Sequence, residues 1–225
     1  MSEWWTYRLT SFLLFSPRTY YRTIERYNLE IWPAQLVGVA IGLAIIALLM
    51  VKGATRERII AVLLAGCWLW IGWAFHYQRY TQINWVAPWI AVAFALEALL
   101  LAAAGGIARR IVLWPPAGRE FRIAIALIAL IVVCYPLLAP LSGRPWTTAE
   151  AFGVAADPTA LVTVAILALV RGRIKWLLLV IPMLWCLFTV LTLWAMRSPE
   201  AVVVAGAALL ALAPAATRQD VRAVR

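Results

Sequence analysis

Charge is what this sequence has least of: 13% of its 225 residues are charged while 65% are hydrophobic, too thin a polar coat for a soluble domain of this size. Histidine occurs once, as His76, which excludes a bis-histidine haem site and a His-rich metallohydrolase. The two lysines, Lys52 and Lys175, lie between apolar runs rather than within them, so no buried amine is available to hold retinal as a Schiff base. No phosphate-binding loop, dinucleotide fingerprint or serine, histidine and aspartate arrangement is present. An enzyme is therefore the least supported class, and no cofactor is called for.

What is abundant is continuous apolar sequence, with a mean hydropathy of +0.88. Most of this surface needs lipid as its solvent. In hydrocarbon every backbone polar group needs an internal partner, and these runs do not alternate as barrel strands do, so the expected fold is all-α, a polytopic transmembrane bundle. About 20 residues cross roughly 30 Å of hydrocarbon. Runs near that length occupy 31–51, 59–77, 85–107, 123–141 and 176–196, and two shorter ones occupy 159–170 and 201–214.

The net charge of +10 would suggest nucleic acid in a soluble chain. Here the basic residues sit in short loops, so the expected partner is the bilayer, with no nucleic acid. If all seven runs cross, thirteen basic residues gather on one side, from Lys52 to Arg225, and only Arg79, Arg144 and Arg197 occupy the opposite connecting loops. That asymmetry predicts a cytoplasmic C-terminus and an N-terminus outside. The exception is the tail, with Arg8, Arg18, Arg22 and Arg26 on the outer side. Ser16 and Pro17 make a helix start, after which Tyr20, Ile24, Tyr27 and Ile31 share one face and the arginines another. This predicts an amphipathic interfacial helix, preceded by a short aromatic piece containing Trp4, Trp5, Tyr7 and 12–15. No cleavage signal follows the tail and no repeat or low-complexity linker breaks the chain. The expected division is 1–30 interfacial, 31–216 bundle and 217–225 basic tail.

One charged residue falls near the middle of an apolar run. Glu97 lies about 12 residues into its span, roughly 18 Å from the outer end, where a charge costs about 3 kcal/mol or more. Trp85, Trp89 and Ala93 precede it at intervals of four, which reads as an aromatic wall leading to a coupling or cation-binding acid. The structural alternative is a neutral Glu97 hydrogen-bonded to Tyr135 or Thr189 on a neighbouring helix. The hairpin around His76, Arg79 and Asn84 is rich in polar and aromatic groups and is expected to form an outward-facing cup; an aromatic belt at the lipid boundary explains its tryptophans equally. Trp146 and Glu150 lie in the longest outer loop, which suits a lid. Asp157 before Pro158 reads as a helix cap.

Cys67, Cys134 and Cys186 fall at similar depths on three runs, an arrangement that suits a soft metal such as Cu(I). No CxxC pair sharpens that reading, and free cysteine also packs as a small hydrophobe. Gly38 and Gly42 form GxxxG, a close-approach motif that serves either the bundle or a homodimer.

The stretches MSEWWTYRLTSFLLFSPRTYYR (1–22), FHYQRYTQINW (75–85), GRPWTTAEAFGVAADPTAL (143–161) and IPMLWCL (181–187) resemble an uncharacterised family of bacterial multi-pass membrane proteins, a domain of unknown function numbered 6064. The resemblance implies a bacterial inner membrane and carries over no functional residue. The expected function is transport of a small solute or ion, alone or coupled to protons, through the outward-facing aromatic cup. The alternatives are a membrane subunit or sensor that docks a partner, and intramembrane handling of a soft metal.

Overall fold

The computed structural model describes residues 15–217. The described residues are helical, joined by loops and one isolated β-bridge, and contain no strand. The segments holding Trp4, Trp5, Tyr7 and the basic tail with Arg218, Arg222 and Arg225 lie outside the described residues.

Helix α1 (Pro17–Glu30) starts as its sequence dictates: the Ser16 hydroxyl accepts the Thr19 N–H and Pro17 opens the first turn. Tyr20, Ile24 and Tyr27 are buried, and Arg18, Arg22 and Arg26 are exposed. After a break the chain turns by 88° into α2 (Ala34–Met50). Helix α3 (Ala54–Trp70) continues as a π-helical stretch, Ile71–Tyr77, and α4 (Ala87–Leu101) as a second, Ala102–Ile107. Then come α5 (Arg119–Cys134), the short α6 (Leu138–Leu141), α7 (Ala156–Ala168), the short α8 (Ile174–Leu178), α9 (Val180–Ala195) and α10 (Glu200–Thr217).

Four continuous helical stretches are long and apolar enough to cross a membrane, 55–82, 87–107, 119–141 and 174–195. Helix α2 reaches that standard only together with α1, across the 88° bend, while α7 and α10 are shorter apolar helices. The centre belongs to α7. All thirteen of its residues are buried, because α3, α5, α9 and α10 surround it.

Loops fall into two groups. At one end, here the α1 end, α1 is tied to the loop before α7: the Asn28 side-chain amide donates to the carbonyls of Thr147 and Ala149, both at 2.8 Å, and Thr147 donates to Glu25. The hairpin after α3 joins the same end through the Arg79–Glu30 ion pair at 2.6 Å. At the opposite end the segment after α4 pairs with the segment after α7. Leu113 and Val170 form the bridge, Trp114 N–H donates to Leu169 and Arg171 N–H to Val112, and Glu57 of α3 accepts the Leu113 N–H.

The GxxxG motif is consumed within the bundle. A Cβ on Gly38 would lie 2.1 Å from the Phe152 carbonyl, and one on Gly42 would meet Val132 and Phe152 at 2.7–2.9 Å. These glycines let α2 approach the loop that precedes α7.

Candidate functional site

That loop delivers Asp157 to the second position of α7. The residue at the cap is Ala155, without a side-chain bond, so the capping role expected for Asp157 is not what the structure shows. The helix start is closed instead by Thr159, whose hydroxyl accepts the Gly153 N–H and donates to the Ala155 carbonyl. Asp157 is thereby free to face the neighbouring helices. Its carboxylate accepts the Trp185 indole N–H and the Thr189 hydroxyl, each at 2.8 Å, both from α9, and the Tyr135 hydroxyl at 3.5 Å. Tyr135 and Thr189 are the groups expected to partner Glu97, and the structure gives them to Asp157.

Asp157 borders a small cavity of about 20 Å³ that it shares with Glu150, Tyr20, Tyr27, Phe75 and Trp185. That is room for about one water. Helix α1 closes it. The Tyr27 hydroxyl donates to the Val154 carbonyl at 2.8 Å and accepts the Trp70 indole N–H at 3.1 Å. The Glu150 carboxyl is pushed well above the ordinary carboxyl range, first by burial and then by the negative charge of Asp157, with Arg144 opposing. Arg144 has its own partner, the ion pair with Glu200.

His76 is fully buried rather than lining an open cup. Its ring packs against Phe94 at 4.4 Å and Trp185 at 4.8 Å, and neither nitrogen has a hydrogen-bond partner among the described residues. It therefore adjoins the Asp157 site through Trp185. Asn84 accepts the Val86 N–H and so shapes the turn into α4, and Arg79 is engaged with Glu30. These three residues thus form no common cup: His76 and Asn84 are buried, and Arg79 alone borders a polar hollow of about 220 Å³, with Thr23, Arg26, Glu30, Gln78 and Gln82.

Glu97 lies midway along 87–107, fully buried, and neither carboxylate oxygen has a partner among the described residues. The aromatic wall expected above it does not form: Trp89 is 70% exposed and Trp85 72%, while Glu97 is 0%. A step of four residues overshoots a full helical turn by about 40°, so Trp89 stands about 80° away from Glu97 around the axis, and Trp85 lies in the turn before α4. Trp146 is exposed as well, whereas Glu150 reaches the cavity.

The three thiols do not come together. Cys67 and Cys186 are buried and Cys134 half-buried, and among the described residues no group of three or more His, Cys, Asp or Glu side chains is placed to hold a metal. Similar depth on three helices leaves the direction around each helix unspecified.

The residues that sequence reasoning did not join to a site are Asp157, Trp185, Tyr20 and Tyr27. A carboxylate and an indole 28 positions apart carry no spacing signal, though a charged residue at the head of an apolar run was a visible cue.

The model of a family described as a family of unknown function (DUF6064) matches residues 18–224. No curated protein and no solved structure matches.

Proposed function

The chain belongs to that family of unknown function, which lends it no activity, and we propose from the site alone that it is a proton-coupled carrier of a small solute or ion. The observation that carries this reading is the water-sized cavity shared by Glu150 and Asp157. Two neighbouring carboxyls cannot easily both be charged there, so one of them exchanges a proton as the cavity opens and closes. Helix α1 is the outer cover of that site. Glu97 is a second station deeper in the bundle, where a carboxyl without a partner gains from meeting a proton or a cation.

In this reading the chain crosses a bacterial inner membrane seven times, with α1 outside and the C-terminus in the cytoplasm. Helix α7 then crosses inside a sheath of other helices, which is why it can be shorter than a lipid-facing span. Support comes from the excess of basic residues in alternate loops and from the grouping of loops at the two ends.

The test uses proteoliposomes on a solid-supported membrane, challenged with a small-molecule extract of bacterial cells across a pH gradient. Wild type is expected to give transient currents that grow with the gradient, and Glu150→Gln and Glu97→Gln to lose them. Wild-type currents no larger than those of empty liposomes, or equal currents in both variants, would overturn the reading. A second reading, a membrane subunit that docks a partner, is favoured by the exposed row Arg18, Arg22 and Arg26 on α1. It requires that Arg22→Glu reduce recovery of a co-purifying protein while the bundle stays folded.

A further inference from the structure

A crevice runs between α2 and α3 toward the α1 end. Its walls include Val37, Gly38 and Ile41 on one side and Gly66, Cys67 and Trp70 on the other, and Gly153 and Val154 close its floor. It measures about 230 Å³ and is almost wholly apolar. Small residues make the space: a Cβ on Gly66 would meet nothing within 4 Å. Both flanking helices belong to the lipid-facing shell, with Val37, Leu69 and Trp70 exposed.

The floor of this crevice is also the wall of the acid cavity. Val154 borders the crevice and Ala155 borders the cavity. Tyr27 borders the cavity and holds both Trp70 and Val154 of the crevice through its hydroxyl. One phenol thus latches the two spaces apart. On the cavity side, Glu150 and Asp157 take part in none of the ion pairs among the described residues, because Arg144 is matched by Glu200 and Arg79 by Glu30. The cavity has two acids whose cationic neighbour, Arg144, is already paired with Glu200, and the crevice leading to it suits a hydrocarbon chain.

We propose that the crevice between α2 and α3 is the entry site for a lipophilic amine, whose chain lies against Gly66 and Ile41 and whose cationic head meets Glu150 and Asp157 once Tyr27 lets go of Val154. This rests on the proton-coupled reading and names its substrate class. A protonated amine takes the place of the proton that the pair otherwise shares, so amine entry releases that proton and the net charge of the site is unchanged. An anionic amphiphile would bring a second negative charge to a pair that already carries one. A polar solute without a chain would find few hydrogen-bond partners on the way in.

The experiment uses the full chain in phosphatidylglycerol nanodiscs with two photoreactive probes, decylamine and decanoic acid, each carrying a diazirine at the chain end. The amine is expected to label peptides containing 66–70, at least about tenfold more than the acid, a difference near 1.4 kcal/mol. Unlabelled decylamine should compete. Gly66→Leu fills the crevice where space is open and should abolish labelling while the thermal melt stays native; Glu150→Gln should reduce it. Equal labelling by the acid, or labelling unchanged in Gly66→Leu, would overturn the proposal. Competition by added phosphatidylethanolamine would assign the amine to a lipid headgroup, and its absence to a free lipophilic amine, and either supports the site. If labelling fails while extract-driven currents persist and depend on Glu150, the amine falls and the carrier stands; labelling without any current does the reverse.

Discussion

At the α1 end the bundle surrounds Asp157 with an indole N–H and two hydroxyls. Midway along 87–107 Glu97 has no hydrogen-bond partner among the described residues. Both carboxyls are buried, and burial alone therefore does not describe either. Three donors offset much of what Asp157 loses on leaving water, so it is part of the framework as well as of the site. Glu97 receives no such compensation from hydrogen bonds. A side chain that costs about 3 kcal/mol or more in that position without such compensation fits the transient binding station of the proposed carrier.

The comparison breaks most visibly at Asp157. Asp157→Ala leaves Trp185, Thr189 and Tyr135 without their acceptor and is expected to cost about 3–5 kcal/mol, measured as a fall in the unfolding midpoint in detergent. A loss of a few tenths would mean the network is not what separates the two regions. Trp185→Phe deletes one donor and keeps ring contacts with His76 and Phe94, for an expected cost of about 1–2 kcal/mol. Glu150 sharpens the comparison through pH. Its raised proton affinity in the folded chain makes stability greatest below the ordinary carboxyl range, and stability is lost as pH rises toward the raised value. Melts at pH 5 and pH 8 should therefore differ, the higher midpoint being at pH 5, and Glu150→Gln should shrink that difference. The smallest effect is expected for Glu97→Gln, within about 0.5 kcal/mol of wild type; a larger destabilisation would reveal a structural partner and erase the contrast.

How far the sequence reaches depends on whether a feature is local. The start of α1 at Ser16 and Pro17, and its buried stripe of Tyr20, Ile24 and Tyr27, follow from neighbours in the chain and are found as expected. The helical class and the runs that become α3, α4, α5 and α9 are equally legible, because composition over about 20 residues decides them. The site is not local. Asp157 before Pro158 has the look of a cap, and only the arrival of α9 gives its carboxylate other work. Trp89 and Glu97 share a spacing of eight that approximates one face but drifts by about 80°. His76 looked like an outward group because it lies near a span end, yet Phe94 and Trp185 seal it in. Glu97 stands out by its charge deep in an apolar run and Glu150 by its place in the longest outer loop, cues that locate an unusual residue without saying what it meets.

Helix α7 offers no face to lipid, since every residue from Ala156 to Ala168 is buried, and α9 and α10, which follow it in the chain, form much of its enclosure. During synthesis it emerges before the helices that will cover it. Its thirteen residues, about 20 Å of helix, are too few to be held across the bilayer alone, so its final position is decided late, when the last helix closes over it. The order in which this protein is made therefore matters: the Asp157 network needs Trp185 and Thr189 of α9, so it is completed only once α9 has docked, after the whole of α7 has been made.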